Sequence, residues 1–221
     1  MSAPYYSDDA VTLYHGDCLT EHREWLDADV LVTDPPYGMA YESNFNRIKG
    51  SQKVGRPIVG DKTPVARSLA LSAWGQRPAL VFGRWDIPRP AGTRARLIWD
   101  RKYHGMGDLT FPWGPSEEEI YVLGSGFRGK RGPNIISSHA LMSGDKNRPD
   151  HPTPKPIGLM QSLIEKCPAG SIADPFAGSG STLIAAKALG RKSIGVELDE
   201  RYCEIAAKRL AQGALDLGGA T

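Results

Sequence analysis

Residues 171–190 constrain the fold more tightly than any other stretch. Ser171-Ile172-Ala173-Asp174 is a short apolar run ending in a carboxylate. Pro175 to Gly180 is a Gly-rich turn, and Ser181 to Leu189 is a helical pattern with Gly190 placed as its stop. Strand, glycine turn and helix in that order form the repeating unit of parallel α/β sheets. Gly178 and Gly180 let the backbone approach a ligand where a side chain would block it. The turn lacks the third glycine of the dinucleotide fingerprint and the Gly-Lys-Ser/Thr of a phosphate loop. Asp174 stands where a phosphate would be repelled, which suits a cofactor with a cationic end. Roughly 20 residues on, as in ribose-binding doubly wound folds, Glu197 ends a short apolar strand and is placed to hold ribose hydroxyls. Asp199 caps the helix that follows, Glu200 to Gln212. A phosphate-free nucleoside with a cationic tail is S-adenosylmethionine.

Asp34-Pro35-Pro36-Tyr37 follows the apolar run Asp29-Val30-Leu31-Val32. Two consecutive prolines hold φ near −65° and donate no backbone hydrogen bond, so the turn is stiff and its carbonyls have fixed directions. A carboxylate before the prolines and an aromatic face after them can grip a planar group that carries an NH2, such as a nucleobase. Asp34 and a proline carbonyl would accept its two N–H bonds and Tyr37 would stack on its ring. The alternative is a plain strand-ending turn, for which Asp and Pro are ordinary residues.

Both motifs, with Leu13-Tyr14-His15-Gly16-Asp17-Cys18 before them, His151-Pro152-Thr153-Pro154-Lys155-Pro156 between them and Gly195 to Tyr202 at the end, resemble the amino-methyltransferases of DNA that act on adenine N6 or cytosine N4. The order, catalytic motif first and cofactor motif near the C-terminus, is similar to the beta group of that family. The resemblance covers most of the chain. It implies a Rossmann-like S-adenosylmethionine-dependent methyltransferase fold, α/β, with seven mostly parallel strands, one of them antiparallel, and a circularly permuted motif order. It also implies double-stranded DNA as the substrate.

The same resemblance assigns roles. Asp34, Pro35, Pro36 and Tyr37 form the catalytic set. Asp17 accepts from the cofactor's adenine amine with Cys18 nearby, or else ends an edge strand in a turn. Asp174 lies near the methionine ammonium, and the backbone of Pro175, Phe176, Ala177, Gly178, Ser179 and Gly180 wraps that end. Phe176 packs near the adenine or the methyl donor, or in the core. Lys155 pairs with the methionine carboxylate with help from Thr153, and Glu197 holds the ribose. Asp in the first position of the catalytic motif tilts the target toward adenine N6, since cytosine-N4 enzymes often carry Ser there. Cytosine N4 is one alternative. A DNA- or cofactor-binding protein that kept the fold and lost catalysis is another.

Composition excludes some classes. The 221 residues are 40% hydrophobic and 24% charged with a net charge of +2, enough for one good-sized core. No apolar run approaches the ~20 residues of a membrane span, and the N-terminus has neither a basic region nor an apolar core of a secretory signal. A cytoplasmic location is expected. Cys18, Cys167 and Cys203 lie far apart without metal-ligand spacing, so no metal site is expected.

Alternating patterns predict strands at 11–15, 29–33, 79–83, 95–99, 119–123, 171–174 and 193–197, and helices at about 20–26, 64–75, 157–166, 181–189 and 199–212. The strands from Ala95 and Glu119 would form a reversed edge, and the strand ending at Asp17 would lie beside the one ending at Glu197. The whole chain, 1–221, reads as a single methyltransferase domain with DNA-recognition loops at about 38–62 and 100–148. Arg47, Lys49, Lys53, Arg56 and Lys62 face one acid in the first loop. Arg128, Lys130, Arg131, Lys146 and Arg148 face Asp145 in the second. These basic stretches track phosphates or are solvated surface. Glu117-Glu118-Glu119 offsets their charge. Little sequence remains for target recognition, so the site is short, its specificity is loose, or a homodimer partner supplies the rest. The family serves restriction–modification, but neither a target sequence nor a companion nuclease is readable from the chain.

Overall fold

The computed structural model of the chain describes residues 3–36, 65–105, 109–142, 145 and 148–216. Its strands are β1 (Tyr6–Ser7), β2 (Val11–His15), β3 (Val30–Thr33), β4 (Ala79–Gly83), β5 (Ala95–Asp100), β6 (Glu117–Leu123), β7 (Ile135–Ser137), β8 (Ile172–Asp174) and β9 (Ser193–Glu197). The helices are α1 (Val65–Trp74), α2 (Ile157–Ile164), α3 (Ser181–Ala188) and α4 (Glu200–Asp216), with a single 3-10 turn at Glu24–Asp27. All strands join one sheet in the order β1-β2-β9-β8-β3-β4-β6-β5-β7.

The strands β2, β9, β8, β3 and β4 are parallel; β6 runs against both β4 and β5, and β7 runs with β5. The sheet therefore has nine strands rather than the expected seven. Two- and three-residue strands such as β1 and β7 are too short to leave a period-2 pattern. The expected reversed edge is also corrected. Only β6 is reversed there, because its antiparallel pairing with β5 restores β5 to the majority direction. The second reversed strand is β1, paired antiparallel to β2 through Tyr6↔Leu13.

Strands β3 and β4 are buried on both faces, as expected of central parallel strands covered by helices. Alternation sends Val30, Val32, Leu80 and Phe82 to one side, where they meet Leu159, Met160, Leu163 and Ile164 of α2 and Ala185 and Ala186 of α3. Leu31, Ala79 and Val81 face the other side and meet Ala70 and Trp74 of α1 and Trp25 of the 3-10 turn. Val11 and Leu13 pack with Cys203, Ala206 and Leu210 of α4. Each fully buried Leu or Ile contributes about 1.5–3 kcal/mol relative to exposure.

A helix expected at about 20–26 is the 3-10 turn instead. The Asp17 carbonyl accepts from both Glu21 and His22 N–H groups, so the chain has already turned before a helix can start. The beginning and the end of the chain meet as expected, with His15↔Glu197 in register between β2 and β9. From β8 the chain proceeds to β9 on one side, while β3 proceeds to β4 on the other. The crevice between the carboxyl ends of β8 and β3 is thus the switch point, where ligands bind in such sheets.

Candidate active site

Strand β3 delivers Asp34 to that crevice, and β8 delivers Asp174. Thr33 Oγ1 donates to Asp174 Oδ1 at 2.7 Å, and the Phe176 N–H donates to the same oxygen at 3.2 Å. Asp174 is 2% exposed. Burial pushes its carboxyl up to about 7, against hydrogen bonds from Thr182, Thr33 and Phe176 and with a contribution from the charge of Asp34. Among the described residues Asp174 has no ion-pair partner, and its hydrogen bonds come from hydroxyls and a backbone N–H.

The turn after Asp174 keeps its shape through glycines. Gly178 has φ +51° and Gly180 has φ +80°. A Cβ on Gly180 would lie 2.9 Å from Ala206 Cβ, and one on Gly178 would lie 3.0 Å from His151 Nε2. Glu197 anchors the turn, accepting from Gly178 N at 2.7 Å and from Asp199 N at 2.8 Å. Burial raises the Glu197 carboxyl, while those backbone donors oppose the shift. Ser179 turns away from the crevice, toward Arg209 of α4, which donates to its carbonyl and, at 3.2 Å, to its Oγ. Ser181 Oγ, at the start of α3, is buried without a hydrogen-bond partner among the described residues. Phe176 packs with Cys18, Leu31, Ala173 and Val196 in the core.

Lys155 is 6% exposed. Its ammonium lies 2.5 Å from Asp34 Oδ2 and 3.0 Å from Glu118 Oε2. Phe82 and Trp99 present their rings to it, with centroids at 4.9 and 6.0 Å. Burial alone would lower the lysine pKa, but the Asp34 and Glu118 carboxylates override it and hold the group charged, well above its ordinary value. Glu118 Oε1 reaches on to Arg101 Nη1 at 3.5 Å. The ammonium expected to meet a methionine carboxylate is therefore engaged by two protein carboxylates. Glu118 was not foreseen as a site residue. Alternation along β6 puts it on the Lys155 side, while Glu119 faces the other side and accepts from Tyr121 Oη at 2.5 Å.

Other expected residues lie further out. Asp17 caps its own turn: Oδ1 accepts from Leu19 N at 2.7 Å, and its N–H donates to Glu21 Oε2 at 3.0 Å. It still lies beside Glu197, whose carbonyl accepts from Gly16 N at 3.0 Å. Cys18 is buried, and its thiol is pushed up to about 12 by burial and by Asp17, so it stays protonated. Thr153 is exposed, with its N–H 3.3 Å from His151 Nδ1. The His151 ring meets Tyr202 edge-on at 4.5 Å. Burial lowers its pKa to about 4, with Lys155, Arg148 and Arg209 adding to the shift and Asp34 opposing it, so the imidazole is neutral. Pro35 is buried and Pro36 partly so; Tyr37 and the loop at 38–62 lie outside the described residues. The 125–148 stretch contains β7 and is not loop throughout. Among the described residues no group of His, Cys, Asp and Glu is arranged to hold a metal, and no helix is long and apolar enough to cross a membrane.

Residues 84–208 match the family model described as N6_N4_Mtase, DNA methylase. The DNA adenine methyltransferase YhdJ of Escherichia coli (strain K12) is 41% identical over 250 residues, covering 93% of this chain and 84% of that protein. The crystal structure of the M1.HpyAVI-SAM complex superimposes with a TM-score of 0.64 at 20% identity, covering 90% of this chain and 98% of that one. PvuII DNA methyltransferase, which is cytosine-N4-specific, superimposes with a TM-score of 0.65 at 14% identity, covering 99% and 96%. These two share the fold. With the family model spanning more than half the chain and the paired carboxylate turns at the switch point, the chain belongs to the N6/N4 DNA methylase family.

Proposed function

We propose that the chain methylates the exocyclic N6 of adenine in double-stranded DNA, with S-adenosylmethionine as methyl donor. The observation that carries this reading is Asp34, fixed by Lys155 at 2.5 Å beside the cofactor turn. Asp as the first residue of the catalytic motif and the 41% identity to an adenine methyltransferase support adenine over cytosine.

The residues of the crevice fit the cofactor. Asp174 is a buried carboxylate with no ion-pair partner among the described residues, suited to the methionine ammonium. Ser181 Oγ is an orphaned hydroxyl among the described residues, and Gly178 and Gly180 let the turn pass tightly against His151 and Ala206, where a Cβ would clash. When bound there, S-adenosylmethionine supplies an electrophilic sulfonium methyl group. Adenine's amine is a poor nucleophile because its lone pair is delocalised into the ring. Acceptance of its protons by Asp34 and by the Pro35 carbonyl favours a tetrahedral nitrogen with a localised lone pair. A localised lone pair is what transfer of that methyl group to the amine would require, and Asp34, already accepting from the amine, would take up its surplus proton or pass it to solvent. Catalysis is then positioning and electrostatics. The base must leave the duplex to reach Asp34, and Tyr37 is the residue proposed to stack on it.

DNA is proposed to approach the carboxyl ends of the strands. The loop from Arg101 to Ser116 leaves that end of β5, and the segment with Trp85 leaves that end of β4. Leu109, Phe111, Trp113 and Trp85 are 72%, 63%, 74% and 77% exposed; these apolar side chains, on segments that also carry Arg101 and Lys102, suit bases and backbone together.

The test is mass spectrometry of nucleosides from methyl-free DNA incubated with protein and S-adenosylmethionine, with Asp34→Ala as control. N6-methyladenine from the wild type alone is expected. N4-methylcytosine would overturn the base assignment, and an Asp34→Ala variant with normal turnover would overturn the mechanism.

A further inference from the structure

We infer that Glu118 and Lys155 are positioning residues that hold the Asp34 carboxylate in place and divide one ammonium between two carboxylates; this rests on the reading of Asp34 as the acceptor for the target amine. The geometry is a file of alternating charge in which Lys155 is buried and the other three residues are partly buried. Arg101 lies against Glu118, Glu118 against Lys155, and Lys155 against Asp34, at 3.5, 3.0 and 2.5 Å. It draws on four separate parts of the chain: the end of β5, the first turn of the reversed strand β6, the approach to α2 and the end of β3. Pro154 and Pro156 are both buried on either side of Lys155 and restrict its backbone. The rings of Phe82 and Trp99 line its side chain, so the ammonium has few other places to go.

An ammonium serving Asp34 alone would neutralise it and weaken it as an acceptor. Glu118 shares the same ammonium, so less of its charge falls on Asp34 and the carboxylate keeps its strength as an acceptor. The target nitrogen becomes cationic as it attacks the methyl group. An Asp34 carboxylate only partly neutralised by Lys155 stabilises that charge more in the transition state than in the ground state, which is the condition for raising the rate rather than the affinity. In a buried setting such charge placement is screened far less than at the surface. The arrangement also makes the reversed strand part of the proposed machinery, since β6 presents the Glu118 carboxylate to Lys155.

The test compares Glu118→Gln, Lys155→Met and the double variant in single-turnover methylation of methyl-free DNA, together with cofactor and DNA affinity. Glu118→Gln should slow the methyl-transfer step roughly 10- to 100-fold, with both affinities within about 2-fold of wild type. The double variant should be no slower than Lys155→Met alone, because Glu118 acts only through Lys155. Glu118→Asp, which keeps the charge, should recover much of the rate lost in Glu118→Gln, and this comparison stands even if Lys155→Met folds poorly. An unchanged rate in Glu118→Gln, additive losses in the double variant, or equal losses in Glu118→Gln and Glu118→Asp would each overturn the proposal. Asp34→Ala is the separating control: if it too turns over normally, the catalytic reading itself has failed, rather than the role of Glu118.

Discussion

Thr33 donates its hydroxyl to the buried carboxylate of Asp174 across 2.7 Å, tying the strand that carries the Asp34-Pro35-Pro36 turn to the strand that carries the glycine turn. The residue before Asp34 is thus an element of the proposed cofactor site. Thr33→Val keeps the shape and removes the donor, leaving Asp174 with Thr182 and the Phe176 N–H. The loss should cost about 1–3 kcal/mol of stability, the range for a buried acceptor losing one partner. Thr33→Ser should retain the bond and most of that stability. Urea denaturation of the three proteins checks the difference, and a Thr33→Val protein as stable as wild type would deny the bond a structural role.

Asp174 and His151 make opposite contributions to stability between about pH 4 and 6.5. The folded Asp174 pKa, about 7, lies above the ordinary 3.8. Over that interval the folded protein keeps a proton that the unfolded chain has released, so rising pH withdraws stability. Glu197, also raised by burial, has the same sign. The folded His151 pKa, about 4, lies below the ordinary 6.5. There the unfolded chain takes up a proton that the folded imidazole refuses, so rising pH adds stability. Against wild type, Asp174→Asn should therefore gain stability more steeply as pH rises from 4.5 to 6.5, and His151→Gln less steeply. Thermal melts of the three across that interval give the slopes. Identical slopes would mean that neither group titrates as its burial requires.

Cofactor binding should report on the same carboxylate. Below about pH 7 Asp174 is largely protonated in the protein without ligand, and a cationic ligand end favours the ionised form. Binding should then release a proton, and affinity should rise with pH up to about 7 before levelling off. Calorimetry in two buffers of different ionisation enthalpy measures the proton directly. Asp174→Asn should abolish the difference between buffers.

The legible parts of this molecule are those where a short pattern decides the outcome. Strands at 11–15, 79–83 and 193–197 have the expected bounds because their apolar runs are bracketed by turn residues. The glycine turn after Asp174 and the helix stop at Gly190 follow from local chemistry alone. What stayed hidden depends on residues far apart in the chain. Three successive glutamates at 117–119 read as surface charge, and only the pairing of β6 shows that Glu118 and Glu119 point to opposite faces with different partners. Lys155 finds its carboxylates 121 positions away at Asp34 and on β6 at Glu118, neither of which its flanking prolines reveal. Asp17 fits both of its sequence readings: Oδ1 accepts from the Leu19 N–H in a turn, while the residue lies at the end of β2 beside Glu197.

Gly180 lies where the cofactor turn becomes α3. With φ +80° and a Cβ position 2.9 Å from Ala206 Cβ, it admits no side chain without strain. Gly180→Ala should cost roughly 1–3 kcal/mol from the left-handed backbone and the crowded contact together. It should also weaken cofactor binding while leaving DNA affinity nearly unchanged. Removing the obstacle with Ala206→Gly should recover the packing share of the loss and leave the backbone share. Paired melts and cofactor titrations of the single and double variants separate the two.

Trp113 offers an optical test of the proposed DNA-facing surface. Trp25, Trp74 and Trp99 are at most 2% exposed, whereas Trp85 and Trp113 are 77% and 74% exposed. Phe111 packs beside Trp113 at 5.7 Å between ring centroids, which presents two rings on one loop. Stacking of a base on such a ring stabilises by about 1–3 kcal/mol, so Trp113→Ala should weaken DNA binding by roughly 5- to 100-fold. Fold stability should hardly change, because little of the indole is buried. Duplex DNA should quench wild-type tryptophan fluorescence, and Trp113→Phe should lose much of the quench while keeping most of the affinity, since phenylalanine also stacks. Full quenching in Trp113→Phe, with unchanged affinity in Trp113→Ala, would place the DNA on another surface.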